Sequence, residues 1–216
     1  MVAVRGKVDE TLVTRALEAE KKMKRLQMAK YSQELFDEIV LEMMKDNDKN
    51  ILLAAGGTGG HLYGAESLAS ELSLEGYNTF LFTDKRVGNL VKGFVQDNVK
   101  EIFSDTFTNK SFYKWPFVVF KILLGFISSL ILIKKINPKA VVGFGGYPTI
   151  PVILAAKLCG SKIIIHEQNI ILGRANKLLI KLADIITLGF DNTIGVPKNY
   201  RKKTFFAGNP IRRDIL

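Results

Sequence analysis

From Ile51 onward the sequence predicts an α/β domain built on a Rossmann-like, doubly wound parallel sheet, preceded by an α-helical extension. Three observations lead there. Short β-rich apolar runs lack the polar alternation of a half-solvated sheet, which marks strands buried on both faces. These runs alternate with segments of helical length and character, the signature of a sheet wound through crossover helices. Polar or glycine-rich turns close several of them, where an open α/β sheet forms its ligand crevice.

Taken in chain order, residues 1–48 read as helix, with Leu12, Ala16, Ala19, Met23 and Leu26 repeating at alternating four and three and Leu35, Ile39 and Met43 repeating at four. Either one helix broken near Tyr31-Ser32 or two helices satisfies that pattern. The extension suits self-association, docking on the domain that follows, or a plain helical appendage. Asp46-Asn47-Asp48-Lys49-Asn50 then ends it as a polar linker. Strands are expected at about 51–55, 79–83, 99–103, 139–143, 161–165, 184–188 and 203–206, with helices at about 62–75, 87–96, 116–135, 149–158 and 172–182. Residues 49–216 thus form a single domain.

Of the 216 residues, 47% are hydrophobic, enough to bury a sizeable core. The lone cysteine, Cys159, excludes an internal disulfide and cysteine-cluster metal binding, and it fits a reducing compartment. Residues 1–50 are charged throughout and lack the apolar core of a secretory signal. The charge is uneven: residues 1–50 carry 10 basic and 10 acidic side chains, and the remainder carries 21 against 11. The body's net charge of +10 suits an anionic partner such as phospholipid headgroups or a pyrophosphate. Nucleic acid is not expected, because no aromatic ladder interleaves the basic residues and no binding module is recognisable.

The two histidines each close a polar cluster at the end of an apolar run: Gly56-Gly57-Thr58-Gly59-Gly60-His61 after the first strand, and His166-Glu167-Gln168-Asn169 after the fifth. About a hundred residues separate them, yet both leave carboxyl ends of parallel strands, so they can converge on one crevice. In the first turn, glycines bring backbone N–H groups close to a ligand and the following helix adds its positive dipole end. A phosphate suits that place. The turn is a poor dinucleotide fingerprint, because Leu62 stands where glycine or alanine is wanted, although Asp84 lies where a ribose-binding acid would be. It also lacks the Gly-Lys-Ser/Thr of a Walker A loop. A second glycine-rich turn, Gly143 to Thr149, follows the fourth strand, and Gly208-Asn209-Pro210-Ile211-Arg212-Arg213 follows the last with two guanidinium groups suited to oxyanions.

The quartet GGTGGH, GFGGYPTIP, HEQN and GNPIR, in this order and spacing, resembles the amino-terminal half of the MurG family of peptidoglycan glycosyltransferases over about residues 50–216. The resemblance implies the N-terminal domain of a glycosyltransferase-B fold. It implies transfer of N-acetylglucosamine from UDP-N-acetylglucosamine to the C4 hydroxyl of lipid I, the undecaprenyl-pyrophosphate-linked muramyl pentapeptide, to form lipid II. In that family this half binds the acceptor, and the uridine pocket lies mainly in a carboxyl-terminal donor-binding domain that this sequence does not contain. No cofactor or metal is implied.

Carried over by motif, Thr58, Gly59 and Gly60 contact the donor diphosphate and sugar, with Asn169 and Arg212 as further donor contacts, and Gly145, Gly146 and Tyr147 line the acceptor side. His61 is the candidate base, a neutral imidazole at a helix N-terminus; Glu167 is its rival, and His166 is read as an orienting residue. The sequence departs from the family at Gly64, where proline is usual. Two other readings stay open: a non-catalytic acceptor-binding subunit of a split glycosyltransferase, and a nicotinamide oxidoreductase supported by Asp84 and the first turn.

The stretch Trp115–Ile133 is almost long enough to span a bilayer, but it contains Pro116, Lys121 and two serines and falls between two strands of one sheet. The resemblance implies a peripheral enzyme on the cytoplasmic face of the bacterial plasma membrane. Its apolar patch, ringed here by Lys110, Lys114, Lys134 and Lys135, would rest on an anionic leaflet. A fully buried core helix is the alternative.

Overall fold

The computed structural model describes residues 49–57, 59–86, 94–106 and 111–210. The helical extension over 1–48, Thr58, residues 87–93 of the helix expected at 87–96, Lys110, Arg212 and Arg213 lie outside the described residues. The seven expected strands are all present: β1 (Asn50–Ala55), β2 (Asn78–Thr83), β3 (Val99–Glu101), β4 (Ala140–Gly145), β5 (Lys162–Glu167), β6 (Ile185–Leu188) and β7 (Thr204–Phe206). They form one sheet in the order β3-β2-β1-β4-β5-β6-β7, and every pairing is parallel. The order reverses between β1 and β4, which puts the ligand crevice beyond their carboxyl ends.

The absence of polar alternation has its explanation in two cores, one on each face of the sheet. Ile51, Leu53, Val142, Phe144 and Ile164 pack on one face against Leu62, Ala65 and Leu68 of helix α1 (Gly59–Leu74). Leu52, Ala54, Val141, Ile163 and Ile165 pack on the other. Their partners there come from α2 (Trp115–Ile136), α3 (Thr149–Leu158) and α4 (Arg174–Leu179), through Ile133, Val152, Ile153 and Leu179. Successive strand residues point to opposite faces, so both faces must be apolar.

Three boundaries differ from expectation in ways that bear on the site. Helix α1 starts at Gly59 rather than near Leu62, which puts His61 in its first turn. Strand β5 continues to Glu167, because His166 and Glu167 still pair in register with Thr187 and Leu188. Helix α4 starts at Arg174, later than 172, because the chain before it is held extended: Ile171 bridges Ile194 and the Leu172 N–H donates to Ile194 O at 2.9 Å.

Helix α2 is long and apolar enough to cross a membrane by length and composition, but its carboxyl end is fixed within the domain. It ends at Asn137, which adopts φ 49 ahead of Pro138, and Asn50 Nδ2 donates to Ile136 O at 2.7 Å, joining the helix end to the start of β1. Only Val118, Gly125, Ser129 and Ile133 are buried along it. At Gly125 the carbonyl oxygen of Phe103 would lie 1.9 Å from an added Cβ, so the strand-to-helix connection crosses the helix where no side chain fits. The remaining surface exposes Phe117, Val119, Phe120, Leu123, Ile127 and Ile131. The helix is therefore not a fully buried core helix: one side, with Phe126, Leu130, Leu132 and Ile136 half-buried beside the buried residues, packs on the domain and the other is exposed.

Candidate functional site

Two glycine turns meet face to face at the switch point. Gly146 has φ 85, and a Cβ there would lie 2.1 Å from Gly56 O; a Cβ at Gly56 would lie 2.6 Å from Pro148 Cγ. Only glycine allows both the left-handed backbone and this approach. Thr149 Oγ1 donates to Gly145 O at 2.7 Å and closes the second turn as α3 begins.

Asp84, at the end of β2, holds the first turn from beneath. Its Oδ2 accepts the Gly57 N–H at 3.2 Å and a guanidinium N–H of Arg86 at 2.6 Å, while Oδ1 accepts the Arg86 backbone N–H at 2.9 Å and Nε at 3.3 Å. The carboxylate is buried and takes four N–H donors, so it serves the protein's own turn and leaves the nicotinamide reading without its ribose acceptor.

His61 sits half-buried in the first turn of α1, and a Cβ at Gly145 would lie 3.2 Å from its Nε2. Its pKa is lowered, with burial as the largest cause, against the opposing charge of Glu167 and a hydrogen bond to the Gly56 backbone. The imidazole is therefore neutral near pH 7 and able to accept a proton.

Glu167 is differently placed. It is 1% exposed, and both oxygens are engaged: Oε1 by the Asn169 backbone N–H at 2.9 Å and Asn169 Nδ2 at 2.8 Å, Oε2 by the Gly173 N–H at 2.7 Å and Asn176 Nδ2 at 2.9 Å. That carboxylate shapes the turn after β5, including the exposed Asn169. His166 is fully buried, edge-on to Phe144 with ring centroids 5.5 Å apart, and bonded to Thr187 Oγ1 at 3.0 Å and Asn209 Oδ1 at 3.3 Å. Burial pushes its pKa down to about 4, despite the opposing bond to Asn209.

The site thus brings together Gly59, Gly60 and His61 at the start of α1, Gly145 beside His61, Gly146 against Gly56, and Glu167 at the end of β5 with Asn169 just after it. Tyr147 is turned aside, into a cleft of about 630 Å³ that it lines with Arg86, Phe103, Asp105 and Lys121. Gly64 lies within α1, where a Cβ would come 3.2 Å from the Phe144 ring, so the helix runs through the departure from the family pattern.

Two residues escape a sequence reading. Asn176 donates to both His166 O at 3.0 Å and Glu167 Oε2, and Thr187 flanks the His166 ring opposite Asn209 of the GNPIR turn. The only sequence signal of Asn176 and Thr187 is a polar side chain within a helix or strand.

The model of the glycosyltransferase family 28 N-terminal domain matches residues 51–187. A Methylorubrum populi protein, the "UDP-N-acetylglucosamine--N-acetylmuramyl-(pentapeptide) pyrophosphoryl-undecaprenol N-acetylglucosamine transferase", is 42% identical over 166 residues, covering 77% of this chain and 45% of that protein. A Rhizobium meliloti protein of the same name is 43% identical over 169 residues, covering 77% and 44%. The crystal structure of Acinetobacter baumannii MurG superposes with a TM-score of 0.56 at 27% identity, covering 69% of this chain and 43% of that one. The chain spans about 45% of the length of the curated relatives it matches.

Proposed function

The chain belongs to glycosyltransferase family 28, and we propose that it is the acceptor-binding half of an enzyme that transfers N-acetylglucosamine from UDP-N-acetylglucosamine to lipid I. The C4 hydroxyl of the acceptor's muramyl sugar attacks C1 of the N-acetylglucosamine, the bond from C1 to the UDP oxygen breaks, and UDP leaves. His61 takes the hydroxyl proton, as a neutral imidazole in the first turn of α1 beside Gly145. That placement carries the proposal. Thr58, Gly59 and Gly60 receive the donor diphosphate at the helix N-terminus, with Asn169 and Arg212 as further donor contacts.

Glu167, whose oxygens already accept four N–H groups, is a positioning residue rather than the base. Gly145 and Gly146 face the acceptor, and Tyr147 lines the adjoining cleft. The exposed apolar surface of α2, flanked by Lys114, Lys134 and Lys135, rests on the cytoplasmic leaflet of the plasma membrane, where a polyprenol-linked acceptor is presented.

Transfer of labelled N-acetylglucosamine from its UDP carrier to a short-chain lipid I analogue tests the reaction, with a carboxyl-terminal half from the family supplied in the assay. Label in the lipid fraction that depends on both halves is the expected result. No transfer from the combined halves would overturn it, and robust turnover by this chain alone would place a uridine site inside this domain.

A further inference from the structure

The cleft that Tyr147 enters is separate from the turn that receives the donor, and it has an occupant of its own. We propose that this cleft is the subsite for the acceptor's peptide, with Arg86 and Lys121 taking the peptide's carboxylate groups. Its volume is about 630 Å³, and its walls come from the turn after β2, the end of β3, helix α2 and the second glycine turn. A cleft of that size holds a small ligand or a short peptide.

The cleft opens beside the reacting centre. A Cβ at Gly57 would lie 3.7 Å from Nη2 of Arg86 and 3.9 Å from Cα of Gly146, so the guanidinium stands where the two glycine turns meet. Half-buried Tyr147 follows Gly146 directly, and Gly145 before it is the residue beside His61. On a muramyl ring, C3 neighbours the attacking C4 hydroxyl and bears the lactyl group to which the peptide is joined, whereas C1 and its pyrophosphate lie across the ring. With the C4 hydroxyl at His61, the peptide leaves the sugar only a few bonds from the imidazole. The donor takes the side of Gly59, Gly60 and Asn169, which leaves the peptide the side of Tyr147 and Arg86.

The lining suits a peptide better than a phosphate. Asp84 fixes Arg86 through Nε and Nη2, yet the side chain is 61% exposed and keeps further N–H donors for a carboxylate. Lys121 pairs with Asp105 at 3.1 Å and is 52% exposed. Glu101 and Asp105 stand in the same lining, so a pyrophosphate would meet like charge there. A peptide brings amide N–H groups for those acids as well as a carboxylate for the cations. Exposed Phe103 and the Tyr147 ring add an apolar wall.

The subsite rests on the acceptor proposed above, and direct binding separates the two. Calorimetric titration of the full chain with N-acetylmuramyl pentapeptide, and with the lactyl amide of N-acetylmuramic acid as the peptide-free compound, tests it. The pentapeptide compound should bind about tenfold more tightly. Arg86→Gln plus Lys121→Gln should remove most of that preference and leave the affinity for the amide unchanged. Lys121→Gln alone, which leaves Asp84 its partner, should remove part of it. Equal affinity for the two compounds, no binding of the pentapeptide compound, or a preference that survives the double substitution overturns the subsite. Inorganic pyrophosphate that displaces the pentapeptide compound, and whose own binding is lost in the double variant, makes the cleft an anion site and overturns it too. A peptide preference of the expected kind with no transfer from the combined halves keeps the subsite and removes the reaction.

Discussion

Nε2 of His166 lies 3.3 Å from Oδ1 of Asn209, and this contact ties the end of β5 to the turn after β7. Asn209 Nδ2 donates to Gln168 O at 3.2 Å, which turns Oδ1 toward the ring. Nε2 therefore carries the proton, and Nδ1 accepts from the Thr187 hydroxyl. A neutral ring satisfies both contacts; a charged one could donate to both oxygens, so the cost of protonation lies in desolvating a cation in a fully buried place.

Stability should consequently depend on acidity. The His166 pKa falls from 6.5 in the unfolded chain to about 4 when folded, so below pH 6.5 the unfolded state gains a proton that the native state does not. The contribution is intact above pH 6.5 and is lost as pH falls toward about 4, amounting to about 3 kcal/mol. Urea unfolding at several pH values checks this, with His166→Gln expected to remove that part of the slope.

The two candidate bases separate by their surroundings. His61→Ala, in an assay with the carboxyl-terminal half supplied, should lower turnover by about two to four orders of magnitude with a smaller effect on apparent donor affinity. Glu167→Gln should instead lower stability, because an amide nitrogen replaces an oxygen that accepts N–H donors, at a cost of about 1–3 kcal/mol. A large loss of turnover in Glu167→Gln at unchanged stability, with His61→Ala mild, would exchange their roles.

Asp84 and Arg86 form an ion pair at 2.6 Å, but the partners are unequal, with side chains 10% and 61% exposed. Arg86→Ala should cost less than about 1 kcal/mol, because solvent screens the exposed cation. Asp84→Ala also strips the acceptor from the Gly57 N–H and should cost about 1–3 kcal/mol more. Equal effects in thermal unfolding would show that the ion pair alone matters.

Membrane docking through α2 should be electrostatic as well as apolar. Each lysine near an anionic surface adds about 1 kcal/mol of attraction, which salt screens. Sedimentation of the chain with phosphatidylglycerol or cardiolipin vesicles should weaken in high salt and with Lys134→Glu plus Lys135→Glu. Neutral vesicles should bind poorly. Retention released only by detergent would mean insertion, and no binding at any composition would exclude docking.

The strands were legible in the sequence because burial on both faces leaves a local trace: Ile51 to Ala55 and Ile163 to Ile165 run apolar without alternation whatever packs on them. The motif turns were legible too, since a backbone such as that of Gly146 at φ 85 demands glycine locally. What each polar side chain does was not. Glu167 reads equally as base or support until Asn169, Gly173 and Asn176 are seen to occupy its oxygens. Asp84 reads as a ribose acceptor until Gly57 and Arg86 claim it. Helix α2 reads as span, core or surface until the Phe103 carbonyl at Gly125 and the Asn50 bond to Ile136 tie it to the sheet. Propensity and periodicity act over a few neighbouring residues and are written locally; hydrogen-bond capacity and burial depend on partners tens of residues away, which only the folded chain brings into reach.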